Sequence, residues 1–259
     1  MTIATFTHHY LGNMIKGLSA LLLAAVVQAC GGDSDSDEEA IAVADPSPTP
    51  IVVIPPPSEQ TFKVTLTSLW SPEDHLSRPS NAHFSGITAV SHNAEYRLLP
   101  LGEIASSGFE LVAELGSQTN LIQEAEAARA NLNVQEIVTT TDQFVPGTLT
   151  QEFQVVITQD YPLLSFVAMI APSPDWVIGT DSLPLVTDSD EFVDSAITVD
   201  LYAIDGGTEE GDTPGNFSLN NDATDPKEPI KILDVSTSGF DKPFARAVIE
   251  PAAANEVIN

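Results

Sequence analysis

The stretch LLSFVAMIA, residues 163 to 171, narrows the folds open to this chain more than any other. It is apolar along its length, as a central strand covered on both faces must be, so material has to pack above and below it. Flanking segments have a different texture. From Thr61, TFKVTLTSLW sets Phe62, Val64 and Leu66 against Lys63, Thr65 and Thr67, the period of two that marks a half-buried strand. QEFQVVIT (151–158), AITVDLYA (196–203), IKILDV (230–235) and FARAVIE (244–250) carry similar signals. Short strands separated by turn chemistry predict an all-β fold, an antiparallel β-sandwich built as one domain over residues 61–259.

Between the first strand and the later ones lies the helical sequence. ASSGFELVAELG offers Ser106 or Ser107 as a cap and Gly116 as a stop; NLIQEAEAARANL offers Asn120 with Gln123 in capping-box spacing. A short insertion of two helices is therefore expected within the sandwich.

The first 60 residues have another character. MIKGLSALLLAAVVQAC has one positive charge at Lys16, an apolar run from Leu18 to Val27 and small Ala29 before Cys30. This is the pattern of an export signal over residues 1–29, and its run falls short of the roughly 18 to 20 apolar residues a membrane span needs. Met14 competes with Met1 as the start, because the residues before it add His8 and His9 but no basic charge. Val27-Gln28-Ala29-Cys30 resembles the bacterial lipobox, which predicts lipidation at Cys30 and an outer-membrane lipoprotein facing the periplasm or the cell exterior. Cys30 is the only cysteine, so no disulfide framework is available. Residues 30–60 hold five acids between Asp33 and Glu39 and six prolines between Pro46 and Pro57, the composition of an extended tether.

Charge excludes some partners. The net charge is −28, and removal of residues 1–29 takes away Lys16 and no acid. Such a chain repels phosphate backbones and anionic headgroups, which argues against nucleic acid and against electrostatic membrane docking. It is suited to calcium or to a salty surrounding that screens its carboxylates.

APSPDWVIGTDSLPL, residues 171–185, raises the sharpest question of chemistry. An apolar strand runs into two prolines, then Asp175 and Trp176, before apolar sequence resumes. Asp175 is either a turn former beside Pro174 or a carboxylate aimed at a metal ion. Asp205, in DGGTEEGDT, is likewise a turn residue or a ligand. Glu209, Glu210 and Asp212 are open as alternative ligands, but the stretch lacks the acid spacing and downstream glutamate of an EF-hand, and the preferred reading is a solvated acidic loop. Trp176 reads as a packing residue and Asp181 as a turn or backbone partner. His75, His83 and His92 have no tight ligand spacing, so a structural hydrogen bond is the better expectation for His92.

Three segments in order, SPEDHLSRPSNAHFSGITAVSHNAEYRLLPLGEIASSGFELVAELG, LLSFVAMIAPSPDWVIGTDSLPL and VDLYAIDGGTEEG, resemble the spondin N-terminal domains of F-spondin and mindin. PSPDW followed by GTDSLPL, with DGGTEEG, carries the likeness, which extends from Thr61 to Glu250. It implies a calcium-binding β-sandwich of adhesion or matrix recognition. It also implies calcium ligands at Asp175, at Asp205 and at an acid on the strand before LLSF, either Glu152 or, with an amide in its place, Gln154.

No G-x-S-x-G elbow, P-loop or H-E-x-x-H occurs, so catalysis is not expected. The reading is a calcium-binding, lipid-anchored module that recognises an extracytoplasmic protein or glycan. An envelope hydrolase on the same sandwich and a structural envelope protein with a lapsed metal site stand as alternatives.

Overall fold

A computed structural model describes residues 58–147, 150–219 and 221–253. The export signal, Cys30 and the tether as far as residue 57 lie outside the described residues. The elements are β1 (Glu59–Ser68), β2 (His83–Phe84), β3 (Thr88–His92), α1 (Ser107–Leu115), α2 (Thr119–Ala130), β4 (Val134–Thr139), β5 (Thr150–Thr158), β6 (Leu163–Ala171), β7 (Trp176–Pro184), β8 (Ile197–Leu201), β9 (Ile204–Asp205), β10 (Lys231–Ile232) and β11 (Ala245–Pro251). They form two antiparallel sheets. One has the order β5-β1-β11-β8; the other has the order β10-β9-β7-β6-β3-β4, with β2 also paired to β6. The chain is an all-β sandwich with a two-helix insertion, as its sequence predicts.

The alternation in β1 places Phe62, Val64 and Leu66 in the core between the sheets, where Phe153, Val155 and Ile157 of β5 and Ala245, Ala247 and Ile249 of β11 meet them. Strand β6 explains its own composition. Leu164, Phe166, Ala168 and Ile170 face that core. Val167 points the other way, into a second cluster with Phe109 and Val112 of α1 and Leu121 and Ala125 of α2. The helices are thus the second cover of the central strand. Each large side chain fully removed from water here contributes about 1.5–3 kcal/mol.

The one polar residue of β6 is satisfied rather than tolerated. Ser165 Oγ accepts from the Ser182 backbone N–H at 2.8 Å and lies 2.8 Å from His92 Nε2, while His92 Nδ1 lies 2.8 Å from the Asn93 carbonyl oxygen. Burial lowers the His92 pKa, so the ring is neutral: Nδ1 donates to Asn93 and Ser165 donates to Nε2. His92 has the structural role expected of it.

Helix α1 ends as its sequence dictates. Ser106 Oγ accepts from the Phe109 N–H at 3.1 Å, and Gly116 closes the helix at φ 65°. Helix α2 departs from expectation, since it begins at Thr119, not after an Asn120 cap, and Gln118 at its N-cap makes no side-chain cap bond. The Gln118 amide instead donates to Thr88 Oγ1 of β3 at 3.1 Å, so attachment to the sheet replaces local capping.

Strand β7 has no clean periodicity, yet it pairs with β6 along most of its length. Gly179 permits this: a Cβ there would lie 2.2 Å from the Phe166 carbonyl oxygen. The chain between β6 and β7, the residues after β9 and the segment before β10 come together at one end of this sheet, with α1 beside them. There a Cβ on Gly206 would meet the Asp175 oxygens and Ala113.

Candidate metal centre

The β6–β7 connection is a short turn tied by Ser173, whose Oγ accepts from the Trp176 N–H at 3.0 Å. The turn presents Asp175, fully buried, to the turn after β9. Asp175 Oδ2 accepts three bonds from that turn: from the Thr208 N–H at 2.7 Å, the Thr208 hydroxyl at 3.1 Å and the Glu209 N–H at 3.0 Å. The Asp175 carbonyl oxygen also accepts from the Gly206 N–H at 3.1 Å. Asp175 is therefore a turn former, but of its partner's turn as much as of its own. Its Oδ1 is buried and makes no hydrogen bond.

Asp205 sits between two neighbours in strand register, Trp176 of β7 and Lys231 of β10. Its Oδ1 accepts from the Gly207 N–H at 2.7 Å, and its Oδ2 lies 2.8 Å from Lys231 Nζ. Gly207 is required at this point, because its φ is 71° and a Cβ would lie 2.1 Å from the Glu228 carbonyl oxygen.

Asp212 completes the group. One ligand atom from each of Asp175, Asp205 and Asp212 lies within 4.8 Å of the others. The Trp176 indole N–H donates to Asp212 Oδ1 at 3.1 Å, so the buried tryptophan both packs and holds a carboxylate. Glu209 joins from the side of α1: its Oε2 is buried without a hydrogen-bond partner.

These carboxylates strain against their surroundings. Burial raises the Asp175 pKa to about 6, with Asp205 adding to the effect against the opposing N–H bonds of Thr208 and Glu209. Burial, then the charges of Glu114 and Asp175, push Glu209 up to about 7. Burial and a hydrogen bond with Asp205 push Asp212 up to about 7, against the Trp176 bond and the charge of Lys231. A positive ion among them would reverse all three shifts.

The donor set fits a hard cation. It supplies carboxylate oxygens from separate segments with backbone carbonyls nearby, as calcium needs, and includes no histidine or thiol. Asp175, Asp205 and Asp212 would hold the ion; the buried Oδ1 of Asp175, which has no hydrogen-bond partner, fits a cation there.

The structure brings Asp175 and Asp205 together and does not bring Glu152 to them. Glu152 stands on β5, in the other sheet, opposite Thr65, whose hydroxyl donates to it at 3.2 Å. Gln154, on the same strand, pairs with Lys63 in register. Strand β5 forms the far edge of that sheet, so neither residue replaces the acids that the loop after β9 itself contributes. That loop sets Asp212 beside Asp175 and Asp205, in the place of the alternative ligand its sequence offered. The available signal was Glu209, four residues beyond Asp205 in a turn that doubles back through two glycines. Asp181 is an ion-pair partner instead of a local turn residue: Arg97 reaches it through both Nη2 and Nε, the latter at 3.2 Å. His75, His83 and His92 stay dispersed.

No helix among the described residues is long and apolar enough to cross a membrane. Residues 60–250 match the family model Spondin_N. Spondin-2 of Homo sapiens is 33% identical over 181 residues, covering 68% of this chain and 53% of that protein. Spondin-1 of Rattus norvegicus is 32% identical over 212 residues, covering 74% of this chain and 25% of that protein. The chain thus matches about half the length of the first relative and a quarter of the second. Matched by the family model over residues 60–250 and 32–33% identical to these relatives, the chain belongs to the Spondin_N family.

Proposed function

We propose that this chain is an extracytoplasmic adhesion or recognition module whose calcium site shapes the loops that meet a protein or glycan partner. The carrying observation is the buried Asp175 Oδ1, which has no hydrogen-bond partner, in a group with Asp205 and Asp212 whose carboxylate oxygens lie within 4.8 Å of one another; Glu209 Oε2, in the same loop, is likewise buried without a partner. Unpartnered buried acceptors are costly and rare in folded proteins, which supports a cation as their partner. Calcium would supply positive charge shared among oxygen ligands. The residues do the rest: Asp175 Oδ2 fixes the turn at Thr208 and Glu209, Trp176 holds Asp212, and Gly207 lets the turn press on the segment before β10. The export signal and lipobox-like residues before Cys30 support attachment of the module to an outer membrane through an acidic, proline-rich tether.

Calorimetric titration with calcium, alongside thermal unfolding with calcium and with chelator, tests the reading. A ligand specific to the folded state raises stability by about 2.7 kcal/mol at a hundredfold excess over Kd. The expected result is one saturable site and a matching rise in Tm, both lost in Asp175→Asn. Absence of heat and of any Tm shift in the native chain would sink the proposal.

A further inference from the structure

Among the described residues, Lys231 is the cation paired with Asp205 and Asp212 at the margin of the acidic group. Its partner in β9–β10 register is Asp205 itself. Nζ lies 2.8 Å from Asp205 Oδ2, 3.4 Å from Asp212 Oδ2 and 2.9 Å from Glu228 Oε2. The backbone that carries it is anchored: the Glu228 N–H donates to the Gly207 carbonyl oxygen at 2.9 Å, and the Ile230 N–H donates to that of Glu103 at 2.9 Å. Each Asp205 carboxylate oxygen consequently has a partner, Oδ1 the Gly207 N–H and Oδ2 the Lys231 ammonium, whereas Asp175 Oδ1 and Glu209 Oε2 have no hydrogen-bond partner. Within the group of Asp175, Asp205 and Asp212, one buried oxygen thus has no hydrogen-bond partner and another is held by an ammonium group.

We propose that Lys231 is a tethered counter-ion that sets the affinity of the site, holding Asp205 and Asp212 together without metal and competing with a divalent ion for Asp205 Oδ2. The proposal rests on the calcium reading above. Lys231 is a positioning residue with two opposed effects. It screens the repulsion of Asp205 and Asp212, which stabilises the ion-free fold. It also opposes an incoming divalent charge and occupies one of its oxygens, which weakens binding. The outcome is a site that fills only at high calcium concentration yet keeps its shape when empty. Glu228, on the exposed side of Nζ, gives the ammonium group an acceptor to retain when it yields Asp205.

The test compares the full chain with Lys231→Met and Lys231→Arg by calcium calorimetry and by thermal unfolding in chelator. Removing one positive charge a few ångströms from a divalent ion strengthens binding by roughly tenfold or more, even at the effective dielectric of a protein surface. Lys231→Met is expected to show a Kd at least about tenfold lower and a lower ion-free Tm. Lys231→Arg keeps the charge and is expected to bind no tighter than the native chain. A purely structural lysine would lower Tm with and without calcium alike and leave Kd unchanged, and that result overturns the proposal while the calcium reading stands. Calcium binding by Lys231→Met alone, with none by the native chain, would support the counter-ion and remove calcium from the native chain's function. No calcium binding by any of the three overturns both.

Discussion

The indole of Trp176 donates to Asp212 at 3.1 Å, so the residue that opens β7 also fixes an acid of the loop after β9. Its ring packs edge-on against Phe240 and Phe217, with centroids 5.1 Å and 5.7 Å away. Replacement by phenylalanine keeps much of the packing and removes the bond to a carboxylate. We expect Trp176→Phe to cost about 1–3 kcal/mol and to weaken calcium binding by less than Asp175→Asn does. Equal calorimetric losses in the two variants would show that the indole bond to Asp212 matters to the ion as much as the charge of Asp175.

Two substitutions at Asp175 separate its structural role from its charge. Alanine leaves the donors of Thr208 and Glu209 without their acceptor and is expected to lower ion-free stability by about 2–4 kcal/mol. Asparagine keeps one acceptor oxygen and relieves repulsion with Asp205, so its ion-free Tm is expected to lie above that of the alanine variant. Denaturant unfolding in chelator checks the order; identical stabilities would mean that the three bonds to Oδ2 contribute nothing.

The raised acids predict a pH dependence of definite sign. Glu209 titrates at about 7 in the fold and near the ordinary glutamate value, roughly 4.3, when unfolded. Between those values the folded state binds more protons, so this group destabilises the ion-free protein progressively as pH rises through that window. His75 and His92 act oppositely, because burial lowers their pKa values and makes them destabilise as pH falls. The clean observable is the difference between the native chain and Glu209→Gln. Their Tm values are expected to agree near pH 4 and to separate toward pH 8, with the glutamine variant the more stable. A difference independent of pH would refute the assignment.

Gly179 gives a prediction remote from the site. An alanine Cβ would press on the Phe166 carbonyl oxygen and on Leu99, and backbone on a central strand yields little. Gly179→Ala is expected to cost about 3 kcal/mol, at the upper end of ordinary overpacking, with the ends of β6 and β7 losing amide protection first. A stability within a few tenths of the native chain would show that the two strands separate easily.

Much of the fold was legible because its cause is local. The alternation of Phe62, Val64 and Leu66 is buried as read, and the Ser106 cap and Gly116 stop bound α1 as read. Strands β3, β4 and β7 escaped because partners supply what their own patterns lack: the helices cover one face of β3, and Gly179 rather than periodicity seats β7. IKILDV reduces to the two residues of β10, since its apolar residues follow the packing of a loop. At the site, Asp175 and Asp205 were visible as acids at turns. Glu209 and Asp212 were legible only as acids of a loop and Lys231 only as a strand residue, because the fold alone returns the loop after β9 and the segment before β10 to the same carboxylates. Glu152 misled for the converse reason: its strand is near in sequence but belongs to the other sheet.

The grip of Asp175 on Thr208 joins residues 33 apart in a chain with one cysteine. Closing a loop of that size is what small exported domains commonly entrust to a disulfide, whose chief effect is to restrict the unfolded chain. Here the closure is made of a carboxylate and backbone amides, so thiol reductants have nothing to cut. The latch of this domain is electrostatic: its vulnerability is to proton concentration and ionic strength, and its redox surroundings are without consequence for it.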